Sequence, residues 1–228
     1  LALGFLAVTG GLLVKDLDQP KRFLYVLLRP QWSSWLAKGG YAITVFGGLV
    51  TAWLVASYQE TRLVADVLFG TSASLAVVVA VYTAFLFAQA KGRDFWQSPS
   101  LILHMLTHSI MAGSSALLLT MFIMPATVEW MALNHMLLTG SVLVNLTLIF
   151  IELTVTHPTQ DAKTVVTMIL SGRYKRMFWA GAIVLGNLVP LVALGLDFIA
   201  LPLAPLCTLA GIFITEKMIW PVLLTTEF

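Results

Sequence analysis

Two histidines, His104 and His108, lie four residues apart within a long apolar stretch of this 228-residue sequence. Four residues is about one turn of an α-helix, so both imidazoles are predicted on the same helix face. Tyr82, in the preceding apolar stretch, is predicted at a similar depth. Histidine gains and loses protons near neutral pH, and a tyrosine hydroxyl donates hydrogen bonds. These side chains therefore predict a site for a molecule that must gain or lose protons.

The elements that position them are predicted to be transmembrane helices. Hydrophobic residues make up 59% of the chain and charged residues only 11%, whereas about 25% of the residues in an average soluble domain are charged. Six apolar segments are long enough to span a bilayer, at 35–57, 64–90, 100–125, 128–154, 177–197 and 199–222. No ten-residue alternation of the kind that marks a membrane β-barrel is present. The sequence thus predicts an all-α polytopic transmembrane helical bundle.

Two shorter segments complete the predicted architecture. The opening apolar run, at 1–14, is shorter than the roughly 20 residues needed to span, so we interpret it as the end of a partial first helix. This makes about seven membrane helices in this chain. Near 160–171, the spacing of four apolar residues indicates a short helix lying along the membrane interface. These four are Val165, Val166, Ile169 and Leu170.

The basic residues predict an orientation. If the spans alternate in direction, twelve of the thirteen Lys and Arg residues fall on one side, and only Arg62 falls on the other. The positive-inside rule makes the basic side cytoplasmic. The alternative is that the basic loops form a docking face for an acidic partner.

Other polar residues in the spans have simpler explanations. Glu152 lies near a predicted span end, where solvent alone would satisfy it. Asn145 and Asn187 are typical of hydrogen bonds between membrane helices. Glu216 precedes Lys217, which predicts a charge pair at the end of a helix.

A haem site fits the sequence poorly. His104 and His108 share one helix and cannot hold one iron from both sides, and His135 is predicted at a different depth. The single cysteine, Cys207, excludes a disulfide within the chain and any cysteine-ligated zinc or iron–sulfur site. Redox chemistry must therefore come from a bound molecule or a partner. A haem b anchor subunit, a proton- or ion-translocating protein and a membrane anchor without a site remain as alternatives.

Several motifs resemble those of a known family. They are DLxxPxRF at 16–23, PxxSSW at 30–35, YTAFLFAQAKGRDFW at 82–96, GRYxRxFW at 172–179 and GNxxP at 186–190. Together they resemble the NrfD family of quinone-interacting membrane subunits, of the polysulfide reductase and alternative complex III types. One departure is Asp18, where the family more often has glycine.

The resemblance implies both a domain organisation and a function. It implies a subunit without haem or metal that binds menaquinone or ubiquinone in an N-terminal four-helix bundle. Residues 1–125 would be the part of this bundle present here, without its first helix, and 126–228 the C-terminal transmembrane helices. The intact protein would then have eight. The implied partners are a ferredoxin-like iron–sulfur subunit and a molybdenum-type catalytic subunit or a cytochrome, with no nucleic acid.

The resemblance also maps quinone-site residues onto the chain. It places the family's quinone tyrosine at Tyr82 and its loop aspartate at Asp16. From their positions we add His104 and His108 as quinone ligands, and Arg22 as the cation that keeps Asp16 ionised. Asp16 and the two histidines are the predicted proton-transfer groups. The chain is thus expected to be a membrane-anchoring, quinone- or quinol-binding subunit, quinone-reactive or non-catalytic, in the bacterial cytoplasmic (inner) membrane.

Overall fold

The computed structural model describes residues 2–15, 28–89, 100–124, 126–154, 160–196 and 202–224. These residues form eight helices, which confirms the all-α prediction. The helices are α1 (Ala2–Lys15), α2 (Trp35–Tyr58), α3 (Arg62–Ala88), α4 (Ser100–Ile123), α5 (Val128–Thr154), α6 (Gln160–Leu170), α7 (Met177–Gly195) and α8 (Leu203–Leu224). Within this described part, α2, α3, α4, α5 and α7 are long and apolar enough to cross a membrane, so the chain is a multi-pass membrane protein.

The helices fall into two compact units, Leu1–Ala90 and Lys91–Phe228. The first unit contains α1 to α3, and the second contains α4 to α8. Helix α4, which the predicted domain boundary at 125 assigns to the N-terminal part, packs within the second unit, mainly against α5 and α8. The functional division of the chain at 125 stays a prediction.

In the first unit, α2 and α3 pack against each other along their length. The Gln89 side chain, just after the end of α3, forms hydrogen bonds at the start of α2. Gln89 Oε1 accepts a hydrogen bond from the backbone N–H of Trp35 at 3.1 Å, and Gln89 Nε2 donates to the Ser33 carbonyl at 3.3 Å. Because the first N–H groups of a helix have no partner within that helix, Gln89 caps α2 from outside. Beside this cap, the rings of Trp35 and Phe85 stack with centroids 4.5 Å apart. Two of the sequence motifs therefore meet at one end of the pair.

The second unit has two apolar clusters. One contains Met111, Leu138 and Val142, from α4 and α5, together with residues of α7 and α8. The other contains Val165 and Ile169 of α6, packed against α7 and α8. A helix is thus present near 160–171, with Val165 and Ile169 buried against neighbouring helices, while its position along the membrane interface stays a prediction.

Helix α7 differs from the simple helix predicted at 177–197. Its first part, Met177–Leu188, is a π-helix, and Val189–Gly195 continues as an α-helix. Proline lacks an N–H and is best tolerated at the start of an α-helix, and Pro190 lies in the first turn of the α-helical part. The Asn187 side chain donates from Nδ2 to the Ala182 carbonyl at 2.7 Å, an additional bond across the last π-turn.

Candidate functional site

Helix α4 carries both predicted histidines on the same face. The imidazole rings of His104 and His108 have centroids 6.0 Å apart. Both side chains are mostly buried, with exposed fractions of 14% and 12%. The structure therefore brings them together as their spacing predicted.

A carboxylate from α5 holds the first histidine. His104 Nε2 lies 3.1 Å from Glu152 Oε2, and the Ser100 hydroxyl donates to Glu152 Oε1 at 2.9 Å. An ionised carboxylate can only accept hydrogen bonds, so in that state the imidazole nitrogen is the donor. Glu152 is only 22% exposed. Its carboxylate is thus held between two side chains of α4. The sequence interpretation, in which solvent alone satisfies Glu152 near a span end, did not predict these contacts.

A second carboxylate, from α8, holds the other histidine. His108 Nδ1 lies 3.3 Å from Glu216 Oε1, and the Glu216 side chain is 39% exposed. His104, His108, Glu152 and Glu216 together form what we call the His–carboxylate cluster. It joins three helices of the second unit, and its most accessible member is Glu216. The sequence interpretation of Glu216 as a partner of Lys217 missed this contact.

This cluster has the chemistry of a proton-transfer site. An imidazole and a carboxylate in hydrogen-bond contact can share or exchange one proton, and two such pairs lie side by side here. Ionisable groups inside a membrane bundle are costly and are usually paired and functional. In the described part of the chain, no three His, Cys, Asp or Glu side chains come together in a group that could bind a metal ion.

Tyr82 lies in the first unit, on α3. It is 8% exposed, and its ring lies directly against α2 at Gly39, where an added Cβ would overlap the ring. Glycine at this position therefore makes room for the tyrosine. Among the described residues no partner is found for the Tyr82 hydroxyl. A buried tyrosine hydroxyl without a partner among the described residues can donate a hydrogen bond to a bound molecule.

The other two predicted site residues, Asp16 and Arg22, lie outside the described residues. The remaining membrane histidine is not part of the predicted site. His135 donates from Nε2 to the Leu194 carbonyl at 3.2 Å, which ties α5 to α7.

The two asparagines form the predicted interhelical hydrogen bond. Asn145 Nδ2 on α5 donates to Asn187 Oδ1 on α7 at 2.9 Å. Asn187 uses its own Nδ2 for the Ala182 carbonyl, so the orientation of both amides follows from this network. As a result, Asn145 Oδ1 is buried and accepts no hydrogen bond from the described residues, and the same holds for the fully buried Ser115 Oγ. The sequence offered no signal for these two unpaired atoms.

Fold and site together define a helical multi-pass membrane protein with paired ionisable side chains in its interior. The family comparison is more specific. The chain belongs to the NrfD family, described as polysulphide reductase, NrfD, whose model matches residues 1–215. This membership makes it a membrane subunit of a quinone-interacting oxidoreductase complex. None of the curated proteins compared with the chain matches it.

Proposed function

We propose that the chain binds a quinone or quinol and manages its protons, while an iron–sulfur partner subunit exchanges the electrons. The His–carboxylate cluster carries this proposal. A chain from a quinone-interacting family needs groups that accept and release protons within the bilayer, and this cluster supplies four from three helices. When bound, the quinone supplies the two-electron, two-proton chemistry.

Each proposed role follows from the environment of one side chain. Tyr82, whose hydroxyl has no partner among the described residues, donates a hydrogen bond to a quinone oxygen. His104 takes or gives a proton and is oriented by Glu152, which Ser100 holds in turn. His108 passes protons to Glu216, whose 39% exposure opens a route out of the bundle. Asp16 and Arg22, which lie outside the described residues, are proposed as a further proton-transfer group and the cation that keeps it ionised.

The partners and location follow the same proposal. Electrons pass between the quinone and a ferredoxin-like iron–sulfur subunit, which connects to a molybdenum-type catalytic subunit or a cytochrome. The complex lies in the bacterial inner membrane. The basic loops lie on the cytoplasmic side, because Lys and Arg are enriched in cytoplasmic loops.

The Tyr82→Phe variant tests the quinone site. It removes only the hydroxyl and keeps the ring against Gly39, so the fold is expected to be retained. Loss of one hydrogen bond to the bound quinone, worth about 1 kcal/mol, corresponds to a roughly fivefold to tenfold loss of kcat/KM. The measurement is quinol oxidation or quinone reduction by the intact complex, with kcat and KM determined separately.

Tyr58→Phe is the matched control. Tyr58 lies at the end of α2 in the same unit and is 91% exposed, so its hydroxyl has no proposed role. Unchanged kcat/KM in Tyr82→Phe, in a complex that still assembles, would leave the chain as a membrane anchor without this quinone ligand.

A second candidate function is proton translocation through the second unit. The buried Asn145 Oδ1 and Ser115 Oγ favour it, because unpaired buried oxygens are normally satisfied by internal water. Along α4 and α5 these atoms lie deeper in the bundle than His108 and Glu152. Internal water there would extend the proton route of the His–carboxylate cluster towards the other side of the membrane.

The Asn145→Leu variant separates this function from quinone chemistry alone. We expect electron transfer to continue, while the protons moved per electron in proteoliposomes fall to the value set by the quinone reaction. Thr147→Val on the exposed face of α5 is the control, since Thr147 bonds only to its own helix at the Leu143 carbonyl. An unchanged proton-to-electron ratio in Asn145→Leu would contradict translocation by this route.

A further inference from the structure

Three cations are grouped in the short turn between α6 and α7. Arg173, Lys175 and Arg176, here called the basic turn, are all exposed. None of them forms an ion pair with a carboxylate in the described part of the chain, where the recorded ion pairs are those of the His–carboxylate cluster. Positive charge at this density, without a carboxylate partner among the described residues, attracts an anion. The proposed quinone and proton roles do not use it.

The turn is held in a defined conformation. The Gly172 N–H donates to the Thr167 carbonyl at 3.0 Å, and the Tyr174 N–H donates to the Met168 carbonyl at 3.2 Å. A Cβ on Gly172 would lie 2.8 Å from Met168 Cα, so the chain folds tightly back on α6. The three cations are therefore presented by an ordered backbone.

Their depth relative to the membrane is set by α7. This spanning helix begins at Met177, directly after the basic turn. Trp179 in its first turn is 45% exposed and donates from its indole nitrogen to the Leu170 carbonyl at 3.3 Å. Tryptophan with an exposed ring near a span end is typical of the headgroup layer. From this position in the chain, the basic turn is expected at the level of the lipid phosphates.

We propose that the basic turn binds the phosphate of an anionic phospholipid. The guanidinium groups of Arg173 and Arg176 can each form paired hydrogen bonds with phosphate oxygens, and Lys175 adds a third positive charge. A lipid fits better than an acidic protein because the cations border a spanning helix and an interfacial tryptophan. The acyl chains would lie along the exposed apolar surface of α7, which includes Val184.

The test is the lipid content of the intact complex extracted in polymer nanodiscs without detergent. In the triple variant R173Q/K175Q/R176Q we expect at least a roughly threefold loss of copurified phosphatidylglycerol or cardiolipin, measured by mass spectrometry, with phosphatidylethanolamine unchanged. The triple variant K15Q/R29Q/R62Q, which removes exposed cations of the first unit, is the matched control and is expected to keep its lipid.

Two outcomes with the basic-turn variant would overturn the proposal. One is an unchanged content of anionic lipid in the basic-turn variant. The other is loss of a copurifying protein with the lipid retained, which would assign the turn to an acidic partner. If the variant does not accumulate, the wild-type complex can still be used to test the proposal. Its Tm in phosphatidylcholine nanodiscs must rise when phosphatidylglycerol is added. Absence of that rise also overturns the proposal.

Discussion

Replacement of Glu152 by glutamine is expected to slow quinone turnover of the intact complex by about a hundredfold. Glutamine keeps the size of the side chain and can still bond to Ser100 and His104, but it cannot accept or release a proton. General acid–base groups typically contribute about 10²- to 10⁴-fold to a rate, and the lower value suits a residue that acts through a neighbouring histidine. The expected defect is therefore in kcat, with little change in the KM for quinone.

The pH profile distinguishes a proton role from a purely structural one. If Glu152 and His104 exchange a proton, the pH profile of kcat should differ between the Glu152→Gln variant and the wild type, and Glu152→Asp should restore part of the rate. Glu129→Gln is the matched control, because Glu129 is exposed in the first turn of the same helix. A wild-type rate and pH profile in Glu152→Gln would show that the carboxylate only ties α4 to α5.

The helices were predictable because the bilayer constrains them strongly. A spanning segment must satisfy its backbone internally and needs about 20 apolar residues. For this reason, the segments predicted at 35–57 and 128–154 agree closely with Trp35–Tyr58 and Val128–Thr154. The same constraint does not determine whether the hydrogen bonds within a spanning helix follow the α-helical or the π-helical pattern. The π-helix at Met177–Leu188 consequently left no signal in hydropathy or length.

Only the part of the candidate site that depends on the spacing of residues along one helix was predictable from the sequence. His104 and His108 share a face because they are about one turn apart on one helix. Their partners depend on how α5 and α8 rotate about their own axes, and helices that are apolar on all sides give little indication of which face turns inward. A sequence signal existed for Glu152, since it and His104 lie near span ends on the same predicted side. For Glu216, its neighbour Lys217 offered a simpler explanation.

Helices α7 and α8 meet at two glycines. A Cβ on Gly186 would lie 2.7 Å from Gly211 Cα, and one on Gly211 would overlap Gly186 itself. Small residues at such crossings let membrane helices approach closely and gain van der Waals contact. The position of this contact matters for the site, because Glu216 follows Gly211 by about one and a half turns on α8.

The Gly211→Val variant is therefore expected to lower both stability and turnover. The added side chain must push α8 away from α7, and overpacking of this kind typically costs about 1–3 kcal/mol. Because α8 carries Glu216, the shift should also lengthen the 3.3 Å contact with His108 and slow proton exchange. The measurements are the Tm of the complex in nanodiscs and its quinone turnover.

The matched control for Gly211→Val is Gly113→Val on α4, where a Cβ has no neighbour within 4 Å. Both variants add the same side chain to a membrane helix, so any general effect of valine cancels in the comparison. The glycine contact would be shown to be unimportant if both variants had the same Tm. If Gly211→Val lowered the Tm but not the turnover, the packing of α8 would contribute to stability, but the position of Glu216 would not affect the rate. The proposed proton route through His108 would then have to be abandoned.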